Sequence, residues 1–104
     1  MYGIFFCNNK NLNENLPSSI EELILDKNFN LELNDLPNQI KKLFINVDNY
    51  DKELNNLPNS IECIELPKDY NFEIKRFPSN LKIIKCSKNY KFLNTLSKYN
   101  IKTF

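Results

Sequence analysis

Residues 16–30 read LPSSIEELILDKNFN, and the same arrangement of apolar residues returns along the whole chain. An aliphatic residue follows three positions after the proline, and further apolar residues follow three and five positions after that one. The opening Leu-Pro or Phe-Pro pair recurs at Leu16-Pro17, Leu36-Pro37, Leu57-Pro58 and Phe77-Pro78. The apolar triplets that follow these pairs are Ile20, Leu23 and Leu25; Ile40, Leu43 and Ile45; Ile61, Ile64 and Leu66; and Leu81, Ile84 and Cys86.

These positions define an internal repeat of about 20 residues. The units start near residues 1, 20, 40, 61 and 81, and a partial sixth unit starts at residue 101. Met1, Ile4 and Phe6 fill the apolar positions of the first unit, while Ile101 and Phe104 begin the sixth. Because one such unit cannot bury its apolar face alone, the sequence predicts a single domain over 1–104, built from about five stacked repeats.

The apolar spacing inside each unit predicts a short strand. Leu23, Ile24 and Leu25 place two leucines on one face and one isoleucine on the other. Amphipathic helices fit poorly, because the spacing changes from three to two within each unit and prolines recur every 20 residues.

The pattern LxxLxLxxN at this period resembles a leucine-rich repeat. The LPxxI opening, with Asn-Phe or Asn-Tyr after the strand, resembles the FNIP-type repeats of amoebae and of the giant viruses that infect them. The 20-residue length is also similar to the short, LP-type bacterial repeats. The resemblance implies an α/β-class leucine-rich-repeat solenoid, a curved right-handed coil with one parallel β-sheet on its concave face. Its convex side would hold extended segments, 3-10 turns and little or no α-helix.

A polar residue after each strand is expected to form a structural ladder. An inward amide can serve backbone groups of two coils, whereas a carboxylate only accepts, so the Asp69 rung should be weaker or locally rearranged. Unit three is one residue longer, and the extra residue, at Val47 or Asp48, should bulge outward. The ladder positions are Asn9, Asn28, Asn49, Asp69 and Asn89.

The outward strand positions are the predicted partner-binding surface. In a solenoid they form rows about 4.8 Å apart. The central row would begin with three large apolar residues, which indicates a contact site for a protein; packing under a terminal segment, or β-propensity alone, would also explain them. The predicted partner-binding residues are Phe5, Ile24 and Phe44, flanked by Glu22, Lys42 and Glu65.

Charge is divided unevenly along the chain. Residues 1–66 contain 5 Lys and 11 Asp/Glu, and residues 67–104 contain 9 Lys/Arg and 2 Asp/Glu. Opposite charges and uncapped ends make head-to-tail self-association, as a structural or self-assembling protein, the alternative to partner binding. Nucleic acid is the weakest alternative, because the basic half contains one arginine and no nucleic-acid motif. Drift on a solvated surface is the remaining explanation.

The residues argue against an enzyme and against a cofactor or metal site. The chain has no histidine for acid–base chemistry and one glycine, Gly3, which excludes a glycine-rich phosphate loop. Three cysteines without CxxC spacing offer no zinc site and favour a cytoplasmic location, in the host cell if the protein is viral. No apolar stretch approaches the roughly 20 residues of a membrane span.

Overall fold

Six short parallel strands form one sheet, and they follow one another across it in chain order. The computed structural model describes the backbone of residues 3–7 and, with side chains, residues 19–104. Within that part of the chain, helical structure is limited to the 3-10 helix Leu93–Leu96. The strands are β1 (Gly3–Cys7), β2 (Ile20–Leu25), β3 (Lys42–Ile45), β4 (Cys63–Glu65), β5 (Ile83–Cys86) and β6 (Asn100–Thr103). From β2 to β6, with one strand per coil, the chain makes a β-solenoid of about four turns. This confirms the predicted architecture.

Each strand alternates between the core and the open face of the sheet. Leu23 and Leu25 are fully buried, and Ile24 between them is half-buried. The register aligns Leu23 with Leu43, and Leu43 with Ile64, so the inward residues of successive coils stack. The 20-residue period therefore puts equivalent apolar residues into contact and makes one continuous core.

The Leu-Pro or Phe-Pro motif forms a turn shortly before β3, β4 and β5. Proline has no N–H to donate, but its carbonyl accepts a bond from the backbone N–H three residues later. The residue three positions after the proline is aliphatic because its side chain is buried in the core, as at Ile40, Ile61 and Leu81. The bonds run from Ile40 to Pro37 (3.4 Å), from Ile61 to Pro58 (3.3 Å) and from Leu81 to Pro78 (3.1 Å).

Aromatic rings stack along the side of the core opposite the sheet. The rings of Phe29, Tyr50, Tyr70 and Tyr90 are buried, with successive centroids 6.5, 6.3 and 6.3 Å apart. Each tyrosine hydroxyl donates to a backbone carbonyl of the preceding coil: Tyr50 to Leu31 (2.8 Å), Tyr70 to Lys52 (2.8 Å) and Tyr90 to Phe72. Burial raises the pKa of all three hydroxyls, that of Tyr90 to about 12. They are therefore neutral donors that tie neighbouring coils together.

The predicted inward ladder of asparagines is wrong. Asn28, Asn49, Asp69 and Asn89 are all exposed, and Asn9 lies outside the described residues. In three coils the residue before the aromatic is the third of a four-residue turn, a position where short polar side chains are favoured. The closing N–H groups donate from Phe29 to Asp26 (3.0 Å), from Tyr70 to Pro67 (3.2 Å) and from Tyr90 to Ser87 (3.0 Å).

In the longer third coil, one of the two predicted positions faces outward. Asp48 is exposed, whereas Val47 is 4% exposed and turns into the core. Asn49 takes a positive φ of 56°, a conformation that asparagine tolerates better than most residues. Its N–H donates to both carboxylate oxygens of Asp69, at 3.2 and 3.1 Å. The Asn49 N–H needs only an acceptor, and the Asp69 carboxylate provides one. The strand register is preserved on both sides of this coil, as predicted.

The first strand lies one residue away from its predicted register. Phe5 pairs with Leu23 and Phe6 pairs with Ile24, and the register is irregular between Gly3 and Ile4. The prediction that Phe5 shares a row with Ile24 is therefore wrong. A one-residue slip exchanges the two faces of a strand, and the apolar run of residues 4–7 gives no alternation from which to choose between them.

The last coil is shorter than the others. Ile101 pairs with Ile84, which lies three residues into its own unit, so the sixth unit starts near residue 98 and not at 101. No Leu-Pro pair precedes it. The 3-10 helix Leu93–Leu96 replaces the usual connection, and its Leu96 is fully buried.

Candidate functional site

The open face of the sheet carries two adjacent rows of side chains. Neighbouring strands lie about 4.8 Å apart, so the residues of a row are near neighbours. The central row consists of Ile24, Phe44, Glu65, Lys85 and Lys102. The flanking row consists of Glu22, Lys42, Cys63, Ile83 and Asn100.

An apolar track crosses this face diagonally. Ile24 and Phe44 are adjacent in the central row, and Cys63 and Ile83 continue the track in the flanking row, all four half-buried. Most half-buried aliphatic and aromatic side chains of residues 19–104 pack against the hydrophobic core cluster. Ile24, Phe44 and Ile83 are the ones that do not. The apolar track, defined as Ile24, Phe44, Cys63 and Ile83, is therefore surface that the described part of the chain leaves open.

The structure brings together five of the six predicted partner-binding residues. Ile24, Phe44 and Glu65 occupy adjacent positions of the central row, and Glu22 stands beside Lys42 in the flanking row. The register places Phe5 opposite Leu23, a core position, and gives Phe6 the position next to Ile24.

Charged residues surround the apolar track. The Lys85 Nζ lies 3.8 Å from a Glu65 carboxylate oxygen, and Lys41 and Glu62 form a similar pair at 3.8 Å. These side chains are partly exposed, so each pair is worth about 0–1 kcal/mol. In the two rows themselves, Glu65 and Lys85, with Glu22 and Lys42, place both signs of charge beside the track.

Cys63 behaves as a small apolar residue. Burial raises the pKa of its thiol, opposed by the nearby Lys42, so the thiol is protonated at neutral pH and is a poor nucleophile. Burial raises the pKa of the Cys86 thiol as well. Among residues 3–7 and 19–104, no group of His, Cys, Asp and Glu side chains could hold a metal ion.

Sequence reasoning missed several residues on the open face. Ile83 was assigned to the flanking row but not to the binding surface, although it is the apolar neighbour of Cys63. Lys102 and Phe104 were given other positions, because the sixth unit was expected three residues later. The missing Leu-Pro pair before Ile101 was the available signal that the last coil departs from the period.

Asparagines that bridge coils lie on the convex side, away from the predicted ladder. The Asn55 side chain accepts from the Lys75 N–H (2.8 Å), and the Asn59 side chain accepts from the Ser79 N–H (3.0 Å). Asn at both positions recurs one unit earlier, at 34 and 38, which was the overlooked signal. These bonds satisfy backbone donors and have a structural role.

A shallow depression of about 420 Å³ lies on the convex side. Its lining is mainly polar and carboxylate, and Lys52 already neutralises Asp51 at 3.4 Å. It therefore offers neither an enclosed apolar site nor a converging set of reactive groups. The lining residues are Glu32, Asn34, Asp51, Lys52, Glu53, Asn56 and Phe72.

Comparison with known proteins agrees with this geometry. The crystal structure of CroV588, a circular leucine-rich-repeat protein of a giant virus, has a similar fold, with a TM-score of 0.60 and 26% sequence identity. The match covers 72% of this chain and 12% of CroV588. No curated protein shows a significant sequence match. In the described residues, no helix is long and apolar enough to cross a membrane.

The parallel one-strand-per-coil sheet, the 20-residue period and this structural match define a leucine-rich-repeat solenoid. The family model of the FNIP repeat matches residues 8–48. The chain is therefore similar to FNIP-type leucine-rich-repeat proteins, in sequence over residues 8–48 and in fold over most of its length. Repeats of this kind are non-enzymatic scaffolds with interaction or structural roles.

Proposed function

We propose that this chain is a protein-interaction module that binds a protein partner through the concave sheet. Ile24 and Phe44 form the apolar centre, and Glu22, Lys42 and Glu65 form a charged rim around it. Phe6 takes the register position that the sequence had suggested for Phe5. A cytoplasmic setting, predicted from cysteine use, remains part of the proposal.

The observation that carries this proposal is the apolar track outside the core. A solenoid gains stability by burying apolar side chains between coils, and the track does not contribute to that core. Contiguous apolar surface of this kind marks an interaction site in soluble proteins. An apolar centre with a polar rim is the common anatomy of a protein interface.

The test is affinity capture with wild type and a Phe44→Glu variant, followed by measurement of the dissociation constant for the captured protein. A charge in the centre of the interface is expected to weaken binding by at least about tenfold, because an unpaired buried carboxylate is costly. Since Phe44 lies outside the core, circular dichroism should show an unchanged fold.

Leu31→Glu is the matched control. Leu31 is also half-buried and apolar, but it packs against the core on the convex side. Its variant is expected to lower stability and leave partner affinity unchanged wherever it remains folded. A partner that binds wild type and the Phe44→Glu variant equally would rule out the concave face.

A second candidate function is end-to-end self-association. In the described sheet, β1 and β6 are the edge strands, and the two halves of the chain carry opposite net charge. The circular form of CroV588 also indicates that such coils can continue into a closed array. Against this, β6 exposes Asn100, Lys102 and Thr103, and polar or lysine-bearing edges discourage strand pairing.

Light scattering at low and high salt decides between the two candidates. Head-to-tail assembly driven by opposite charges requires a molar mass that rises with protein concentration and falls as salt is added. A constant monomer mass would exclude self-association and leave partner binding. Nucleic-acid contact predicts a mobility shift that weakens steeply with salt.

A further inference from the structure

Two lysines stand side by side at the C-terminal end of the central row. Lys85 and Lys102 are register neighbours on β5 and β6. Like charges placed directly opposite on adjacent strands destabilise a sheet. The nearby Glu65 lies on the far side of Lys85, at 3.8 Å from its Nζ, and within residues 19–104 Lys102 has no ion pair.

Apart from Glu65, the surrounding sequence supplies no acidic side chain to relieve this repulsion. Residues 74–104 contain eight Lys/Arg and no Asp or Glu. Lys85 also lies 5.5 Å from the centre of the Phe104 ring, a large apolar side chain that is 43% exposed. The lysine pair and this ring thus form an open basic site, the Lys85–Lys102–Phe104 cluster.

The apolar track ends beside this cluster. Ile83 is two residues before Lys85 on the same strand and faces the same side of the sheet. A ligand that followed the track from Ile24 to Ile83 would therefore reach the lysine pair at its end. Breaks in local sequence rules are expected at functional sites, and two facing lysines, of which only Lys85 has an acidic partner among the described residues, are such a break.

We infer that the partner contributes a segment with apolar side chains at one end and acidic side chains at the other. The apolar end lies on the track, and a carboxylate of the acidic end bridges Lys85 and Lys102. This inference rests on the proposed function, since it uses the same concave face. Single-stranded nucleic acid fits less well: Phe44 and Phe104 offer rings for base stacking, but Glu22 and Glu65 lie on the same face and repel phosphates.

The experiment selects binders from a displayed library of short random peptides, using wild-type protein as bait. Acidic residues are expected to be enriched next to apolar ones in the selected peptides. A selected peptide, fluorescently labelled, then gives dissociation constants by anisotropy for wild type, Lys102→Glu, Phe44→Glu and Lys91→Glu.

Lys102→Glu is expected to weaken binding by about fivefold or more, because it replaces attraction by repulsion at the acidic end. Lys91→Glu is the matched control. Lys91 is exposed in the same terminal region, but it follows Tyr90 on the convex side, near the Phe92 ring at 5.5 Å, and should change binding less than about twofold. A peptide whose acidic residues are replaced by lysines should bind Lys102→Glu better than wild type.

The outcomes separate the inference from the proposed function. Two results would overturn the inference and leave the proposed function intact. One is that the selected peptides show no acidic enrichment. The other is that Phe44→Glu lowers their affinity while Lys102→Glu does not. Peptides insensitive to both variants, or no selected peptides, would count against both. An oligonucleotide that binds through Lys102 independently of Phe44 would replace the protein segment by nucleic acid.

Discussion

Leu43 and Phe44 are consecutive residues with opposite environments. Leu43 is fully buried between Leu23 and Ile64, whereas Phe44 faces the open side of the sheet. Their order in the sequence gives no hint of this difference, since both are large and apolar. It follows from the alternation of a strand together with the period of the repeat.

This difference predicts unequal stability effects. Leu43→Ala should lower the free energy of unfolding by about 2–5 kcal/mol, because it leaves a cavity in the core. Phe44→Ala should lower it by less than about 1 kcal/mol. Urea unfolding monitored by circular dichroism measures both values, and equal losses would show that Phe44 belongs to the core after all.

Asn49 gives a second prediction at this scale. Its φ of 56° suits glycine and asparagine, and a β-branched residue is disfavoured there. Asn49→Gly should therefore be tolerated, and Asn49→Val should lower the unfolding free energy by about 1–2 kcal/mol. The bond to Asp69 uses the backbone N–H, so both variants keep it. Indistinguishable melting temperatures for the two variants would argue against strain at this turn.

The individual residues show where sequence reasoning succeeds and where it stops. The positions of Leu23, Leu43 and Ile64 follow from period and alternation together. Phe5 could not be placed, because an unbroken apolar run has no alternation. The asparagines after the strands were assigned inward because an amide can both donate and accept, but in a four-residue turn their short side chains favour a solvent-facing position.

At the scale of one element, the tyrosine stack makes stability depend on alkaline pH. Unfolded tyrosines lose their proton near pH 10, while burial keeps Tyr50, Tyr70 and Tyr90 protonated at higher pH, Tyr90 up to about 12. Above pH 10 the unfolded state therefore binds fewer protons than the folded state. The three tyrosines contribute their full stabilisation below about pH 10. They lose it as the pH rises through the range in which the folded hydroxyls ionise.

Thermal melts between neutral pH and about pH 12, with phenolate absorbance followed in parallel, test this dependence. Loss of structure and phenolate formation should coincide. Tyr70→Phe is the control: it removes one titrating group, so its melting temperature should fall less steeply with pH, although it loses about 1 kcal/mol at neutral pH with the bond to Lys52. Identical slopes for both proteins would assign the alkaline loss to lysines instead.

The strands and turns were predictable because each unit repeats its own signals. The Leu-Pro turn, the inward apolar pair and the aromatic behind the core all recur, and repetition separates them from chance. The last coil was not predictable in register, because it lacks the Leu-Pro pair and reaches β6 through a 3-10 helix. That one departure concealed Lys102 beside Lys85, and with it the Lys85–Lys102–Phe104 cluster.

For the whole molecule, each coil depends on its neighbours for burial. The fifth coil's Ile84 and Cys86 are 1% exposed because the segment from the 3-10 helix to β6 covers them. A chain truncated after Phe92 should therefore bind a hydrophobic dye and unfold with reduced cooperativity. In the 104-residue chain, Ile101→Asn is a milder change at a half-buried position. It should also increase dye binding and reduce the cooperativity of unfolding, but by less than the truncation does. An unchanged sharp transition in the truncated chain would mean that the fifth coil is stable without its cover.

The hydroxyls of Tyr50, Tyr70 and Tyr90 are each bonded one coil back, never within their own coil. Each of these three repeats therefore brings the donor for a link to whichever repeat precedes it. A duplicated or deleted unit would leave all remaining links satisfied, so a gene can lengthen or shorten such an array by whole units without new compensating mutations. Selection can then act on the outward residues alone, one coil at a time.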